Sequence, residues 1–425
     1  MHETMKSRLK TMGVGLKQYN VVIFFIILAV AAYFVSGVAP TVFLQEIASR
    51  FCRNAFLVLA LIIPVIAGLG LNFSIVIGAM AGQMAIIHTV SWGITGFPSF
   101  LVSILLSTPL AVLFGFLVGK VLNKTKGNEM ITSMILGYLA NGVYQFVYLY
   151  LIGTVIPFPD AAMMNDNGVG IKSSLGFADN FKYSLTNVWN TNLANFILIA
   201  GVVVILLVVV RLVLAVVRKK QKGTPIKPSL LLGSGILTVL CVILICLSLF
   251  NEKAQFTLRF VTFPVSALVC VLLLCLFNGW IFKTKLGHDF RAVGMNQQVA
   301  TVAGINVDRT RIIALIFSTV FAAWGQIIRL QDIGTMNTYS AHEQIALLAV
   351  AALLVGGASV VKAGNKNAII GVILVHAIFA VSPQIGTALF ADSQIGEYFR
   401  VFLAYGIIFV ALAMNAVQQN KMKKR

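Results

Sequence analysis

The feature that most constrains this chain is a succession of long apolar runs separated by short polar segments. A helix needs about 20 predominantly apolar residues to cross the hydrocarbon core of a bilayer. Twelve runs reach or approach that length: residues 21–38, 55–69, 73–92, 97–121, 130–152, 193–217, 230–250, 261–282, 312–328, 344–360, 368–390 and 399–417. Because the second and third runs meet at a glycine-rich break, the pattern predicts an all-α polytopic membrane helix bundle of about 10–12 transmembrane helices.

Composition supports a lipid environment. Hydrophobic residues make up 59% of the 425 residues and charged residues only 11%, whereas soluble domains are about 25% charged. So few polar side chains would leave much apolar surface facing water, a problem that a bilayer removes. We therefore predict a single transmembrane domain over residues 1–425, with an outer loop at 153–192 and an inner polar segment at 283–311.

The distribution of charge predicts the orientation of the chain. With the amino terminus in the cytosol and the runs alternating, 24 of the 32 lysines and arginines fall on the cytosolic side, and nine of the 13 acidic residues fall outside. This asymmetry follows the positive-inside rule and predicts that both termini are cytosolic. The net charge of +19 is therefore assigned to topology, and no nucleic-acid partner is expected.

The inner polar segment carries a distinctive pattern. Residues 291–309 read RAVGMNQQVATVAGINVDR, which indicates two short helices broken at Gly294 and Gly304. Val299 and Val302 are expected to pack on one face, with Arg291 exposed on the other. A short helix lying across the cytosolic membrane surface would offer a contact for another protein.

This stretch resembles the coupling segment of permease subunits from ABC importers that serve ribose-type sugars, nucleosides and branched-chain amino acids. That family commonly shows R-A-x-G-x-N-x-x-A-A-x-x-A-G-I-x-V, and Val299 stands where the first of the two adjacent alanines is usual. Residues 70–74, GLNFS, and 345–371 resemble further parts of the same family. The matching residues are Arg291, Ala292, Gly294, Asn296, Ala300, Ala303, Gly304, Ile305 and Val307.

The resemblance implies a transport subunit rather than an enzyme, in the plasma membrane of a bacterium. A cytosolic ABC ATPase would dock on 283–311, an extracellular substrate-binding protein on the outer loops, and a second permease subunit, identical or homologous, would complete the path. No G-x-x-x-x-G-K-[ST] loop occurs, so we expect no cofactor on this chain and ATP use by the partner. The residues expected to couple to the ATPase are Arg291, Gly294, Asn296, Ala300 and Gly304.

Polar residues inside apolar runs indicate where a cargo would pass, because such residues usually face a cavity or another helix. Residues 127–140, GNEMITSMILGYLA, resemble the nucleoside-type members, which favours a nucleoside or simple sugar as cargo. Each path candidate has the alternative role of an interhelical hydrogen bond. The candidates are Asn72, Ser74, Gln83, Asn141, Tyr144, Gln145, Gln326 and Glu343.

Other readings stay open at this stage. A branched-chain amino acid permease shares the GLN sequence at 70–72. An ion-coupled secondary transporter would need a coupling-ion site at mid-membrane, and an intramembrane enzyme would need a catalytic pair. No metal site is expected, because His88 and His376 have no partner at ligand spacing. Gly78 and Gly82 form a small-x-x-x-small pair, which predicts close helix packing.

Overall fold

The computed structural model describes residues 20–222 and 228–390, with 394, 395, 398, 401, 402, 405, 406, 409, 410 and 413 beyond them. These residues are predominantly helical. The basic amino-terminal segment, residues 223–227 and most of the last apolar run lie outside the described residues.

The helices follow the apolar runs. In chain order they are α1 Asn20–Ser36, α2 Pro40–Leu59, α3 Ile62–Ile66, α4 Ile75–Ser91, α5 Gly96–Lys124, α6 Glu129–Phe146, α7 Ala178–Phe181, α8 Leu193–Lys222, α9 Pro228–Phe250, α10 Glu252–Phe260, α11 Val265–Ile281, α12 Lys285–Met295, α13 Gln297–Val302, α14 Val307–Ile333, α15 Ile345–Val355 and α16 Asn365–Phe390. Four short strands accompany them: β1 Ser174–Gly176, β2 Asn190–Asn192, β3 Thr262–Pro264 and β4 Thr335–Asn337.

Seven helical stretches within the described residues are long and apolar enough to cross a membrane. Three shorter apolar helices, α1, α4 and α15, and the pair α11 and α12, which bend by 77° at their junction, add to these. The prediction of an all-α polytopic helix bundle is confirmed, and the chain is a multi-pass membrane protein. The prediction of a single domain over the whole chain stays a prediction.

The second predicted run began too late. The structure has one candidate span from Pro40 to Ile66, whereas the apolar pattern placed its start at residue 55. The difference lies in a polar stretch that a hydropathy pattern excludes. Arg53 in this stretch pairs with Asp332 of α14, with Arg53 Nε 2.8 Å from Asp332 Oδ2, and an ion pair of this kind reduces the cost of placing an arginine inside a helix bundle.

The glycines of α4 bring two backbones together, as predicted. A Cβ on Gly78 would lie against the carbonyl oxygen of Thr319, and one on Gly82 would lie 2.6 Å from the carbonyl oxygen of Ala323. Only a residue without a side chain therefore allows α4 and α14 to approach this closely. Lipid-embedded helices associate through such close packing rather than through the hydrophobic effect.

The contacts divide the chain into two compact units. Unit 1 comprises residues 1–38, 50–188 and 266–425, and its described part contains α4, α5, α6, α14 and the strand pair β1–β4, in which Leu175 lies opposite Met336. Unit 2 comprises residues 39–49 and 189–265, with α8, α9, α10 and the antiparallel pair β2–β3. All residues of the candidate site described below belong to unit 1.

Candidate functional site

The site begins at a break between two helices of unit 1. Gly68, after α3, has φ +76°, a left-handed conformation that glycine adopts without strain. The break continues to Ser74, whose backbone nitrogen and hydroxyl both donate to Asn72 Oδ1, at 3.1 and 2.5 Å. The backbone nitrogen of Phe73 donates to Ser133 Oγ of α6 at 3.1 Å. The break is therefore held against α6 by a specific hydrogen bond.

Four side chains form a continuous row of hydrogen bonds beside this break. Gln83 Oε1 lies 2.7 Å from His342 Nδ1, His342 Nε2 lies 2.8 Å from Asn141 Oδ1, and Asn141 Nδ2 lies 2.9 Å from Glu343 Oε1. We call Gln83, His342, Asn141 and Glu343 the polar row. It connects α4, α6 and the segment between β4 and α15, and it runs from the fully buried Gln83 to the exposed Glu343.

The protonation state of His342 follows from its surroundings. His342 lies in the connection before α15, outside the spanning helices, and burial lowers the pKa of its imidazole to about 4. The neutral ring has one N–H donor and one acceptor nitrogen. Asn141 must point its amide nitrogen at Glu343 and therefore its oxygen at His342, which assigns the proton of the ring to Nε2.

Gln83 completes this assignment. Its Nε2 atom is buried and has no partner as placed, among the residues that the structure describes. The oxygen and nitrogen of a side-chain amide exchange places on a 180° turn. After that turn Gln83 Nε2 donates to His342 Nδ1, and every donor in the polar row then points towards Glu343.

A small cavity adjoins the exposed end of the polar row. It has a volume of about 60 Å³ and is lined by Phe73, Val76, Met134, Gly137, Tyr138, Asn141, Glu343, Ala346 and Leu347. Two of these, Asn141 and Glu343, are path candidates from the sequence. Phe73 belongs to the glycine-containing break, so the break and the polar row meet at one cavity.

The structure brings most of the path candidates together. Gln145 Nε2 donates to the carbonyl of Tyr339 at 3.3 Å, and Gln326 Nε2 donates to the carbonyl of Ala341 at 3.4 Å. The buried ring of Tyr144 lies edge-on to His342, with the two centroids 5.1 Å apart. Asn72 and Ser74 pair with each other on either side of Phe73. These residues also make hydrogen bonds between elements, so their role in a path stays a prediction.

A second feature of unit 1 is the pair α12 and α13, which we call the elbow. Asn296 separates the two helices and caps α13, because its Oδ1 accepts from the backbone nitrogens of Gln298 and Val299 at 2.9 and 3.1 Å. Arg291 donates from Nε to the carbonyl of Gly287 at 3.3 Å and from Nη2 to that of Phe282. Ala300 is buried against Val293. Three of the five predicted coupling residues thus shape the elbow.

Of the two glycines at which breaks were predicted, one ends the elbow and the other does not break it. Gly304 ends the elbow with φ +80°, so the break predicted there is confirmed. The break predicted at Gly294 is wrong, because α12 continues through it to Met295. Gly294 instead lies against the end of α3, where a Cβ would collide with the carbonyl oxygen of Ile66 and lie 3.0 Å from the backbone nitrogen of Gly68.

The predicted packing face of α13 is also wrong. Val299 is 64% exposed and Val302 is 91% exposed, and Met295 at the end of α12 is 85% exposed. Burial of Ala300 turns the helix so that its valines point away from unit 1. The elbow therefore presents three large apolar side chains that the described residues do not cover, a property typical of a protein-binding surface.

Polar contacts fasten the start of α14 to the α5–α6 corner. Arg311 is fully buried and its Nη2 lies 2.7 Å from Glu129 Oε1 at the first turn of α6. Lys126 Nζ lies 2.6 Å from Asp308 Oδ1, and Asn123 Nδ2 donates to the carbonyl of Asp308 at 2.9 Å. Helix α6, which carries Asn141, is thus tied at its first turn to the helix that follows the elbow.

Sequence reasoning missed several of these residues. His342, Phe73 and Tyr138 did not stand out, because their importance depends on which helices pack together. The adjacency of His342 to the acidic Glu343 in a polar stretch was the available signal. Within the described residues no group of three or more histidine, cysteine, aspartate or glutamate side chains is placed to hold a metal ion.

Comparison with known proteins gives the chain its relatives. It is 30% identical over 166 residues to the probable ABC transporter permease protein YphD of Escherichia coli, covering 39% of this chain and 48% of that protein. It is 29% identical over 176 residues to the galactose/methyl galactoside import permease protein MglC of Haemophilus influenzae (41% and 50%) and 25% identical over 154 residues to the nucleoside ABC transporter permease protein NupB of Lactococcus lactis (36% and 39%).

The chain spans about half the length of the curated relatives it matches, and no solved structure matches it. The model of one family, described as branched-chain amino acid transport system / permease component, matches residues 79–412. That match covers α5, α6, the elbow and α14, and it includes all four residues of the polar row. On this match the chain belongs to the family of branched-chain amino acid transport system permease components.

Proposed function

We propose that this chain is the membrane-spanning permease subunit of an ATP-driven ABC importer for a small polar solute, namely a nucleoside or simple sugar. The relatives named for galactose and nucleoside import support this cargo class. The observation that carries the proposal is the elbow, which presents Met295, Val299 and Val302 exposed on a segment flanked by basic residues. A separate cytosolic ATPase hydrolyses ATP and docks on this surface.

The remaining parts of the proposal concern location and partners. The chain lies in a bacterial plasma membrane with the elbow and both termini in the cytosol, as the charge asymmetry indicates. An extracellular substrate-binding protein delivers cargo to the outer loop at 153–192. A second permease subunit, identical or homologous, completes the path, and this chain binds no cofactor of its own.

The contacts of the elbow suggest how force reaches the cargo path. Movement of α13 by the ATPase carries α12 with it, because the two helices are joined only by Asn296 and share a core at Val293 and Ala300. Helix α12 touches the end of α3 through Gly294 and Gly68, with no side chain between the two backbones. The break that begins at Gly68 leads to Phe73 at the cavity, so a shift of the elbow displaces one cavity wall.

Uptake into vesicles tests the function. The chain is reconstituted with its ATPase, binding protein and any second permease subunit, and uptake of galactose, xylose, adenosine and leucine is measured with and without ATP. We expect ATP-dependent uptake of a sugar or nucleoside that an ionophore does not abolish. Uptake without ATP that collapses with the ionophore would establish an ion-coupled transporter instead, and uptake of leucine alone would establish an amino acid permease.

Docking of the ATPase is tested separately at the elbow. Val302→Asp places a charge on the exposed apolar surface, and we expect it to weaken co-purification of the ATPase about tenfold or more, since a charge at the centre of a protein interface is strongly disfavoured. Val155→Asp changes another exposed valine, 73% exposed on the outer loop, and serves as the matched control. Equal retention of the ATPase by both variants would contradict the assignment of the elbow.

A further inference from the structure

The polar row contains a histidine whose neighbours give it a specific task. His342 is fully buried, and both of its ring nitrogens lie within hydrogen-bond distance of a side-chain amide. We propose that Glu343 and Asn141 bind the hydroxyl-bearing edge of a neutral cargo and that His342 positions them for it. This inference rests on the proposed function, since it names the chemistry that the permease accepts.

The hydrogen bonds of the polar row all run in one direction, towards Glu343. With the side-chain amide of Gln83 turned by 180°, its Nε2 donates to His342 Nδ1, His342 Nε2 donates to Asn141 Oδ1, and Asn141 Nδ2 donates to Glu343 Oε1. Hydrogen bonds aligned in one direction polarise one another, which strengthens the last donor in the row. The amide of Asn141 is thereby held in one orientation, and it fixes one carboxyl oxygen of Glu343.

Glu343 has a carboxyl oxygen that can accept a further hydrogen bond. Ionised carboxyl oxygens accept several hydrogen bonds and donate none. Within the part of the chain that the structure describes, Asn141 supplies the side-chain hydrogen bond to Glu343, through Oε1. Glu343 is exposed and lines the cavity, so its other oxygen is available to accept a hydrogen bond from a donor that enters there.

The size and lining of the cavity favour the edge of a neutral molecule. A volume of about 60 Å³ holds a few hydroxyl groups or waters rather than a whole sugar ring, since one water needs roughly 10–15 Å³ on this measure. Apart from Asn141 and Glu343, its described lining is apolar or aromatic, including Phe73 and Tyr138. Such a lining suits the edge of a molecule that is neutral, hydroxylated and partly apolar.

The same charge pattern selects against amino acids. Among the described residues that line the cavity there is no lysine or arginine, whereas Glu343 supplies a negative charge. Glu343 can pair with the ammonium group of an amino acid, but the carboxylate of that amino acid would lose its hydration here with no described cation to compensate it. A nucleoside or sugar has no carboxylate, so the lining disfavours a branched-chain amino acid relative to them.

Three variants test the inference in the complete importer. The probe is whichever of galactose, xylose and adenosine the wild-type complex transports, with a deoxy analogue lacking one hydroxyl as competitor. We expect Glu343→Gln and His342→Phe each to raise the KM for the probe about tenfold or more, as expected for loss of a charge-assisted hydrogen bond or its support. His342→Gln keeps a donor and an acceptor and should restore most of the affinity.

The decisive readout is selectivity, which a purely structural role of His342 would leave unchanged. In wild type one deoxy analogue competes poorly, and in Glu343→Gln and His342→Phe that preference should shrink towards unity. His88→Phe is the matched control, because the ring of His88 is bonded to the carbonyl of Met84 on its own helix and lies outside the polar row. Its kinetics should stay those of wild type.

The outcomes separate this inference from the proposed function. If the wild-type complex takes up no probe with ATP, the proposed function fails. If wild type transports a sugar or nucleoside but Glu343→Gln and His342→Phe keep its KM and its preference over every deoxy analogue, the inference alone is overturned. Equal loss in His342→Phe and His342→Gln with unchanged preference would reduce His342 to a packing residue and also overturn it.

Discussion

Helix α14 and the pair α8–α9 differ in how much of their apolar surface is buried by the rest of the described structure. In α14, 72% of the apolar stretch is buried within the described structure, whereas the corresponding shares are 11% for α8 and 6% for α9. Helix α14 buries Arg311, Ser318 and Gln326, while α8 is almost wholly apolar from residue 193 to 217. The least apolar of the three is the best buried, which teaches that apolarity does not drive packing inside lipid.

The glycines of α4 and α8 also differ in what they contact. Gly78 and Gly82 set α4 directly against the backbone of α14, whereas Gly201 of α8 meets only the side chain of Ile245 on α9. Backbone contact and buried polar groups define unit 1, where the site lies. Side-chain contact between apolar surfaces defines the α8–α9 pair of unit 2. Three pairs of substitutions examine this difference, in order of decreasing effect.

The largest effect is expected at the buried arginine. Arg311→Met removes a charge that is fully buried and leaves Glu129 without its partner, so we expect a loss of about 3–5 kcal/mol in stability. Thermal unfolding of the detergent-solubilised protein measures it. Arg211→Met replaces an exposed arginine of α8 and should leave the unfolding temperature unchanged. Similar shifts in both variants would remove the contrast between the helices.

A smaller effect is expected when two glycines are each replaced by alanine. The change in stability should have opposite signs at the two positions. Gly78→Ala places a methyl group against the backbone of α14, and we expect destabilisation of about 1–3 kcal/mol from overpacking. Gly201→Ala meets only the flexible end of Ile245 and gains the helix propensity of alanine, worth up to about 1 kcal/mol. Unfolding temperatures should move down in the first variant and stay level or rise in the second. A rise in both would show that backbone contact is unimportant.

The smallest effect is expected on the surface of α8. Leu206 is 58% exposed, and Leu206→Ala should change stability by no more than about 0.5 kcal/mol. Leu315→Ala, the same truncation in the buried part of α14, belongs with the large effects and is the comparison. A marked loss in Leu206→Ala would reveal a partner on this face of α8, and thus would sharpen the contrast rather than erase it.

The sequence predicted those parts of the fold that depend on local pattern. The apolar runs placed the helices, and the spacing of Gly78 and Gly82 predicted their close contact. The part of α2 before residue 55 was missed because it contains polar residues such as Arg53, whose ion-pair partner Asp332 is distant along the chain. The exposed valines of α13 were misread, because amphipathic spacing shows that a helix has two faces and not which one is covered.

The site was predictable in part for the same reason. Polar residues within apolar runs identified Gln83, Asn141 and Glu343 as candidates, since burying them in lipid would be costly. His342 lies in a polar connection, where a histidine carries no such signal. Its role emerges only when α4 and α6 approach it from two sides.

The strand pair β1–β4 has a consequence for the cavity. Ser174–Gly176 pairs with Thr335–Asn337, and the hydroxyls of Thr338 and Tyr339 donate to the carbonyls of Lys172 and Ile171. These hydrogen bonds attach residues 171–176 to the stretch of chain that ends in His342 and Glu343. Displacement of residues 174–176 would therefore be passed to the stretch that places His342 and Glu343 beside the cavity.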